Sequence, residues 1–136
     1  MSVGKGTASA PWIRRYYELC GAKDIDRAME FWAPEGVLRF ANFEPVVGRE
    51  AIHSVLGGIV DNWVKETHTL LNLWELPGGL VVFEMDVAFD RHDGSHVVVP
   101  GAAVCQVEGE RFLEQRIYVD MSPVFAPSDA TAGVVS

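Results

Sequence analysis

The chain has 136 residues, 49% apolar and 22% charged, with a net charge of −8. This describes one soluble globular domain long enough to bury a core. The acidic balance, with no basic cluster larger than Arg14-Arg15, argues against nucleic acid and anionic membrane surfaces as partners. No stretch approaches the ~18 apolar residues of a membrane span, and Met1–Gly6 lacks the apolar run of a secretory signal, so a cytoplasmic location is expected. Cys20 and Cys105 suit reduced thiols, and no metal or redox spacing surrounds them.

Residues 1–10 are small and polar and are expected to be disordered. The expected domain covers 11–123, and a flexible tail covers 124–136. Pro11 suits a helix start, and Trp12, Tyr16, Leu19 and Cys20 form one stripe ending at Gly21. Asp24 or Asp26 can cap a second short helix carrying Ile25, Ala28, Met29 and Trp32. Pro34-Glu35-Gly36 breaks it, and Val37 to Phe40 reads as a strand. After Gly48, the residues Ile52, Val55, Leu56, Ile59, Val60 and Trp63 recur with a helical period. Four strands follow, over about 67–76, 80–90, 95–107 and 111–120. Pro77-Gly78-Gly79, Asp93-Gly94 and Glu108-Gly109-Glu110 separate them. Strands this long and apolar must bury both faces or curl, which predicts an α+β roll with an internal cavity.

Within the second of these strands, Glu84 and Asp86 share a face with Val82 and Ala88, while Val81, Phe83, Met85, Val87 and Phe89 share the other. Two carboxylates buried on one face would have their pKa values pushed apart, a route to acid and base from one residue type. The plainer reading makes this the solvated face of an antiparallel strand. His68 opens the first strand of the meander, and a hairpin turned near Gly78 brings it opposite about residues 86–88. A His68–Asp86 dyad is therefore expected, tuned for base chemistry near neutral pH. His92 and His96, beside Asp90 and Asp93, read as a solvated hairpin loop rather than a metal site.

The order helix, helix, strand, helix, four-strand meander resembles the nuclear transport factor 2-like superfamily over about residues 12–122. This group includes SnoaL-type polyketide cyclases, ketosteroid isomerase, scytalone dehydratase and limonene epoxide hydrolase. The resemblance is carried by Arg15-Tyr16, Phe31-Trp32-Ala33-Pro34-Glu35, Val46-Val47-Gly48-Arg49-Glu50-Ala51-Ile52 and Arg116-Ile117-Tyr118-Val119-Asp120. It implies a cone-shaped roll, with three N-terminal helices packed on a curved, mostly antiparallel sheet around a pocket, often as a homodimer.

Against limonene epoxide hydrolase, Asp86 falls on the epoxide-protonating acid and Glu84 on an arginine. Asn42 falls on a water-holding asparagine and Phe40 on a tyrosine. Ile117 stands where the water-activating aspartate is needed, so that mechanism lacks its base. Tyr16 falls on the oxyanion-binding tyrosine of ketosteroid isomerase, whose general base falls on Phe40. His68 resembles the general-base histidine of scytalone dehydratase, whose orienting aspartate has no clear counterpart here.

The candidate catalytic residues are Asp86, His68, Glu84 and Tyr16, with Tyr17 competing for the last role. Asn42, Phe40, Trp32, Ile117 and Tyr118 are candidates to bind substrate. Trp32 and Phe40 also suit a core, and Tyr118 shares with Arg116 and Asp120 a face that suits a dimer. The expected function is cofactor-independent and metal-free acid–base chemistry on a small apolar or aromatic oxygenated molecule: elimination, isomerisation or cyclisation. The alternatives are an epoxide hydrolase with altered catalytic residues and a non-catalytic ligand-binding or dimerisation module.

Overall fold

A computed structural model describes residues 10–127. The expectations for residues 1–9 and 128–136 lie outside the described residues.

Helix α1 spans Pro11–Gly21, with proline in the first turn, where its missing N–H costs nothing. It buries Ile13, Tyr16, Tyr17, Leu19 and Cys20, so its stripe takes in Ile13 and Tyr17 beyond the positions expected. Lys23, at φ 63°, turns the chain sharply, and its N–H donates to the Cys20 carbonyl. Asp24 then caps the single turn α2, Ile25–Ala28, by accepting from the Arg27 N–H.

Strand β1 runs Trp32–Phe40, five residues longer than expected at its start. Its pairing with β6 shifts register between Trp32 and Val37, and this irregularity accommodates Pro34, which has no N–H to give a ladder. A two-residue strand, β2 (Val46–Val47), precedes α3, Arg49–Ile59. The meander follows as β3 (Lys65–Leu76), β4 (Leu80–Asp90), β5 (His96–Glu108) and β6 (Arg111–Val119). Gly78, Gly79, Gly94 and Gly109 all have positive φ in its turns, where a side chain would strain the backbone. A last turn, α4 (Ser122–Phe125), buries Val124, so the packed body extends past residue 123.

All strands join one six-stranded sheet in the order β2-β1-β6-β5-β4-β3. Only the β1–β6 pairing is parallel. A bulge in β3 between Leu70 and Asn72 lets both Leu70 and Leu73 face the core, where strict alternation would turn one outward. Helix α1 packs on β3 and α3 on β1, so the two ends of the sheet's inner face are roofed by different helices. The core between them includes Phe83, Phe112, Trp32, Ile13 and Cys105, all with no exposed surface. Burying an aromatic or large aliphatic side chain contributes roughly 1.5–3 kcal/mol each, which makes this inner face the fold's main source of stability.

Candidate active site

The inner face of the sheet holds a partly enclosed, mostly apolar cavity of about 50 Å³. Tyr17 and Trp63 line it from the helical side, and Phe40, Met85, Val87, Phe89, Val99, Ile117, Val119 and Met121 from the sheet and its exit. Two polar side chains enter it from β3, Glu66 and His68. They are two residues apart in one strand, which puts them on the same face.

Glu66 Oε2 lies 3.2 Å from His68 Nε2, and the two side chains are 10% and 8% exposed. The Trp63 indole N–H donates to Glu66 Oε1 at 3.0 Å. Lys23 is held close by, its ammonium donating to the Trp63 carbonyl at 2.7 Å. The Tyr17 ring lies against the imidazole, with centroids 4.5 Å apart, and its hydroxyl donates to the buried Gln115 Oε1 at 2.9 Å. His68 Nδ1 is buried without a hydrogen-bond partner. Gly21 makes this packing possible, since a Cβ there would sit 2.5 Å from the Glu66 carbonyl oxygen.

Burial pushes the Glu66 carboxyl up to about 7, although the Trp63 hydrogen bond and Lys23 oppose the rise. Burial also pushes the His68 imidazole down to about 3. Burial therefore keeps the imidazole neutral and holds the proton on Glu66 until the carboxyl releases it near neutral pH.

The structure divides the sequence candidates. His68, Phe40 and Ile117 line the cavity. Tyr16 does not: its hydroxyl accepts from the Trp32 indole N–H at 3.0 Å within the core, and burial raises its pKa well above the usual phenol value. Tyr17 is the tyrosine at the cavity. Trp32 packs among Tyr16 and Phe112 and is core. Asn42 and Tyr118 line a separate, solvent-open recess beside Asp120 and Phe125, and Tyr118 is 57% exposed.

Glu84 and Asp86 require a correction. Val81, Phe83, Met85, Val87 and Phe89 are the buried set of β4, so the two carboxylates are on the opposite face from the cavity. Glu84 is exposed and accepts from Asn72 Nδ2 at 3.0 Å. His68 pairs with Val87, while Asp86 pairs with Thr69, so His68 and Asp86 point to opposite faces and form no dyad. The larger apolar set claims the core, and the carboxylates take the polar-out positions of an antiparallel strand. The residue that partners His68 is Glu66, which sequence reasoning missed. Its signal was the same two-residue spacing noted for Glu84 and Asp86, one strand earlier.

Among the described residues, no three His, Cys, Asp or Glu side chains converge in a way that holds a metal ion. Nor is any helix there long and apolar enough to cross a membrane.

A six-stranded sheet with helices over one face and a polar pair in an apolar cavity defines an α+β cone of the nuclear transport factor 2-like class. The SnoaL-like domain family matches residues 13–115, and the chain belongs to that family. No curated protein matches it in sequence. Among solved structures it is similar to a hypothetical protein with a ketosteroid isomerase-like fold from Catenulispora acidiphila, in complex with trimethylamine. That match has 15% identity and a TM-score of 0.76, covering 85% of this chain and 89% of the other. An LEH-like epoxide hydrolase from M. tuberculosis aligns with 17% identity and a TM-score of 0.71, covering 88% of each chain. A SnoaL-like polyketide cyclase candidate from Jannaschia aligns with 18% identity and a TM-score of 0.70, covering 90% and 95%. At these identities the likeness is one of fold.

Proposed function

We propose that the protein is a cofactor-independent acid–base enzyme acting on a small apolar or aromatic oxygenated molecule, by elimination, isomerisation or cyclisation. The observation that carries this reading is the Glu66–His68 pair, 3.2 Å apart at an apolar cavity. With Glu66 ionised, its carboxylate accepts the His68 Nε2–H and fixes the tautomer, which leaves the lone pair on Nδ1. Once a small movement of the ring opens the buried Nδ1 to the cavity, it takes a proton from carbon next to a carbonyl, the C–H electron pair passes to the carbonyl oxygen as an enolate, and the imidazolium that forms is stabilised by the carboxylate behind it. The apolar walls exclude water and strengthen that charge pairing. Glu66 thus fills the orienting role for which the first helix offers no clear aspartate.

The hydrolase reading draws support from the epoxide hydrolase among the fold neighbours. Against it, Ile117 lines the cavity where that mechanism needs a carboxylate, and Asp86 faces away.

The test is hydrogen–deuterium exchange at the α-carbon of small cyclic and aryl ketones in D2O, followed by NMR. The expected result is exchange well above the buffer rate, falling about 100-fold or more in His68→Gln and less in Glu66→Gln. Exchange no faster than buffer across the ketones, or unchanged in His68→Gln, sinks the proposal.

A further inference from the structure

Helix α3 carries a periodic apolar stripe that the protein leaves partly uncovered. Ile52, and Val60 just past the helix end, are buried, but Val55 is 44% exposed, and Leu56 and Ile59 are only partly buried. A surface helix with such a stripe normally buries it. Here the middle of the stripe faces a second cavity of about 310 Å³, completed by Leu38, Phe40 and Val46 of β1 and β2 and by Phe43, with Glu44 its one polar residue.

Phe40 is the wall common to this chamber and to the cavity at Glu66–His68. Its ring stacks flat on Phe43, with centroids 5.9 Å apart and planes at 1°. The turn between them is tight: Ala41 is left-handed at φ 51°, and the Phe43 N–H donates to the Phe40 carbonyl at 3.0 Å. The inner cavity, at about 50 Å³, has room for the oxygen-bearing end of a small molecule but not for a larger body as well. Small-molecule sites run to about 300–1,000 Å³, and the outer chamber supplies that space.

We infer that the ligand is a two-part molecule, with an oxygen-bearing end at His68 and an alkyl body in the α3/β1 chamber, and that the Phe40 ring is the partition it threads. The inference rests on the reading of Glu66–His68 as the reacting pair. An apolar body suits the chamber because Glu44 is the one charged residue in a lining otherwise made of apolar side chains. Movement of one aromatic ring joins the two spaces, so the substrate class is set by Phe40, Phe43 and the α3 stripe rather than by the dyad.

The experiment measures binding of a para-alkylphenol series, from phenol to hexylphenol, by calorimetry and by NMR. The His68 Cε1–H reports the dyad, and the methyl groups of Val55, Leu56 and Ile59 report the chamber. The expected result is that phenol shifts the His68 signal, and that each added methylene tightens binding roughly three- to four-fold while moving the α3 methyls. Val55→Trp, at a position open enough to accept the larger ring, is expected to flatten the series. Should that variant not fold, the wild-type series decides alone. If phenol shifts His68 but affinity is independent of chain length, the two-part ligand is wrong and the dyad reading stands. If phenol leaves His68 unmoved, the dyad reading fails, and the inference falls with it. Long phenols that move the α3 methyls without moving His68 show two unconnected sites, and this too overturns the inference. So does a second copy covering the stripe, seen as a dimer that Val55→Trp dissociates.

Discussion

Glu66 Oε2 sits 3.2 Å from His68 Nε2, and the two groups are perturbed in opposite senses by the same burial. Desolvation disfavours whichever form is charged, so it raises the acid and lowers the base. In the unfolded chain the carboxyl titrates near 4.5 and the imidazole near 6.5. Between those values both folded and unfolded pairs hold one proton. Folding moves it from the imidazole towards the carboxyl without changing the number bound.

This makes a prediction about stability and pH. The His68 contribution alone is lost as pH falls from 6.5 towards 3, because the unfolded imidazole takes a proton that the folded one refuses. The Glu66 contribution alone is lost as pH rises from 4.5 to 7, because the unfolded carboxyl releases a proton that the folded one keeps. In the wild type the slopes cancel between 4.5 and 6.5, so this pair adds no pH dependence there, and its stabilisation falls away below 4.5. Urea denaturation across pH 3–8 checks it against single variants. Glu66→Gln is expected to lose stability from pH 6.5 downward, and His68→Gln from pH 4.5 upward, each at up to about 1.4 kcal/mol per pH unit relative to the wild type. Parallel curves for all three proteins would falsify the pairing.

The Trp63 indole holds one oxygen of that carboxylate. Trp63→Phe removes the 3.0 Å donor and is expected to raise the Glu66 pKa further above about 7. Lys23→Met removes the nearby cation and is expected to shift it the same way by a smaller amount. Carboxyl-carbon NMR titration reads both directly. A fall in either variant contradicts the assignment of these two groups as the opposing influences.

The outer face of β4 gives the contrary expectation. Asp86→Asn and Glu84→Gln are expected to change stability by no more than about 0.5 kcal/mol and to leave ketone exchange within two-fold of wild type. Glu84 is exposed, and Asp86 faces away from the cavity. A ten-fold loss of exchange in Asp86→Asn, with an unchanged urea midpoint, would return that residue to the site.

Much of the architecture was readable from local pattern. The four meander strands begin and end within two residues of their expected bounds, because glycine turns and apolar runs are short-range signals. The sequence offered Asp24 or Asp26 as the cap of α2 for the same reason, and the structure uses Asp24. The start of β1 was not, because Pro34 looks like a breaker until the irregular pairing with β6, some 80 residues on, is known. The site failed at one step of a similar kind. Alternation places Glu84 and Asp86 together and Glu66 and His68 together, but tertiary packing decides which pair faces inward. That decision depends on the apolar mass of Phe83, Met85, Val87 and Phe89 on the face opposite Glu84 and Asp86.

Gly21 tests how α1 holds the dyad. A methyl group there meets the Glu66 carbonyl oxygen at 2.5 Å, a contact that real side chains do not make, and the atom it meets is backbone that cannot swing aside. Gly21 is the last residue of α1, and Lys23, just beyond it, reaches the Trp63 carbonyl at 2.7 Å. Gly21→Ala must therefore push α1 off β3 or bend β3 at Glu66. The expected cost is about 1–3 kcal/mol by urea denaturation, as for other overpacked sites. Displacement is also expected to open the buried pair to water, which lowers the Glu66 pKa from about 7 towards its ordinary value. A destabilised Gly21→Ala whose Glu66 still titrates near neutral pH would show that the pair is held by β3 and Trp63 alone, with α1 only a cover.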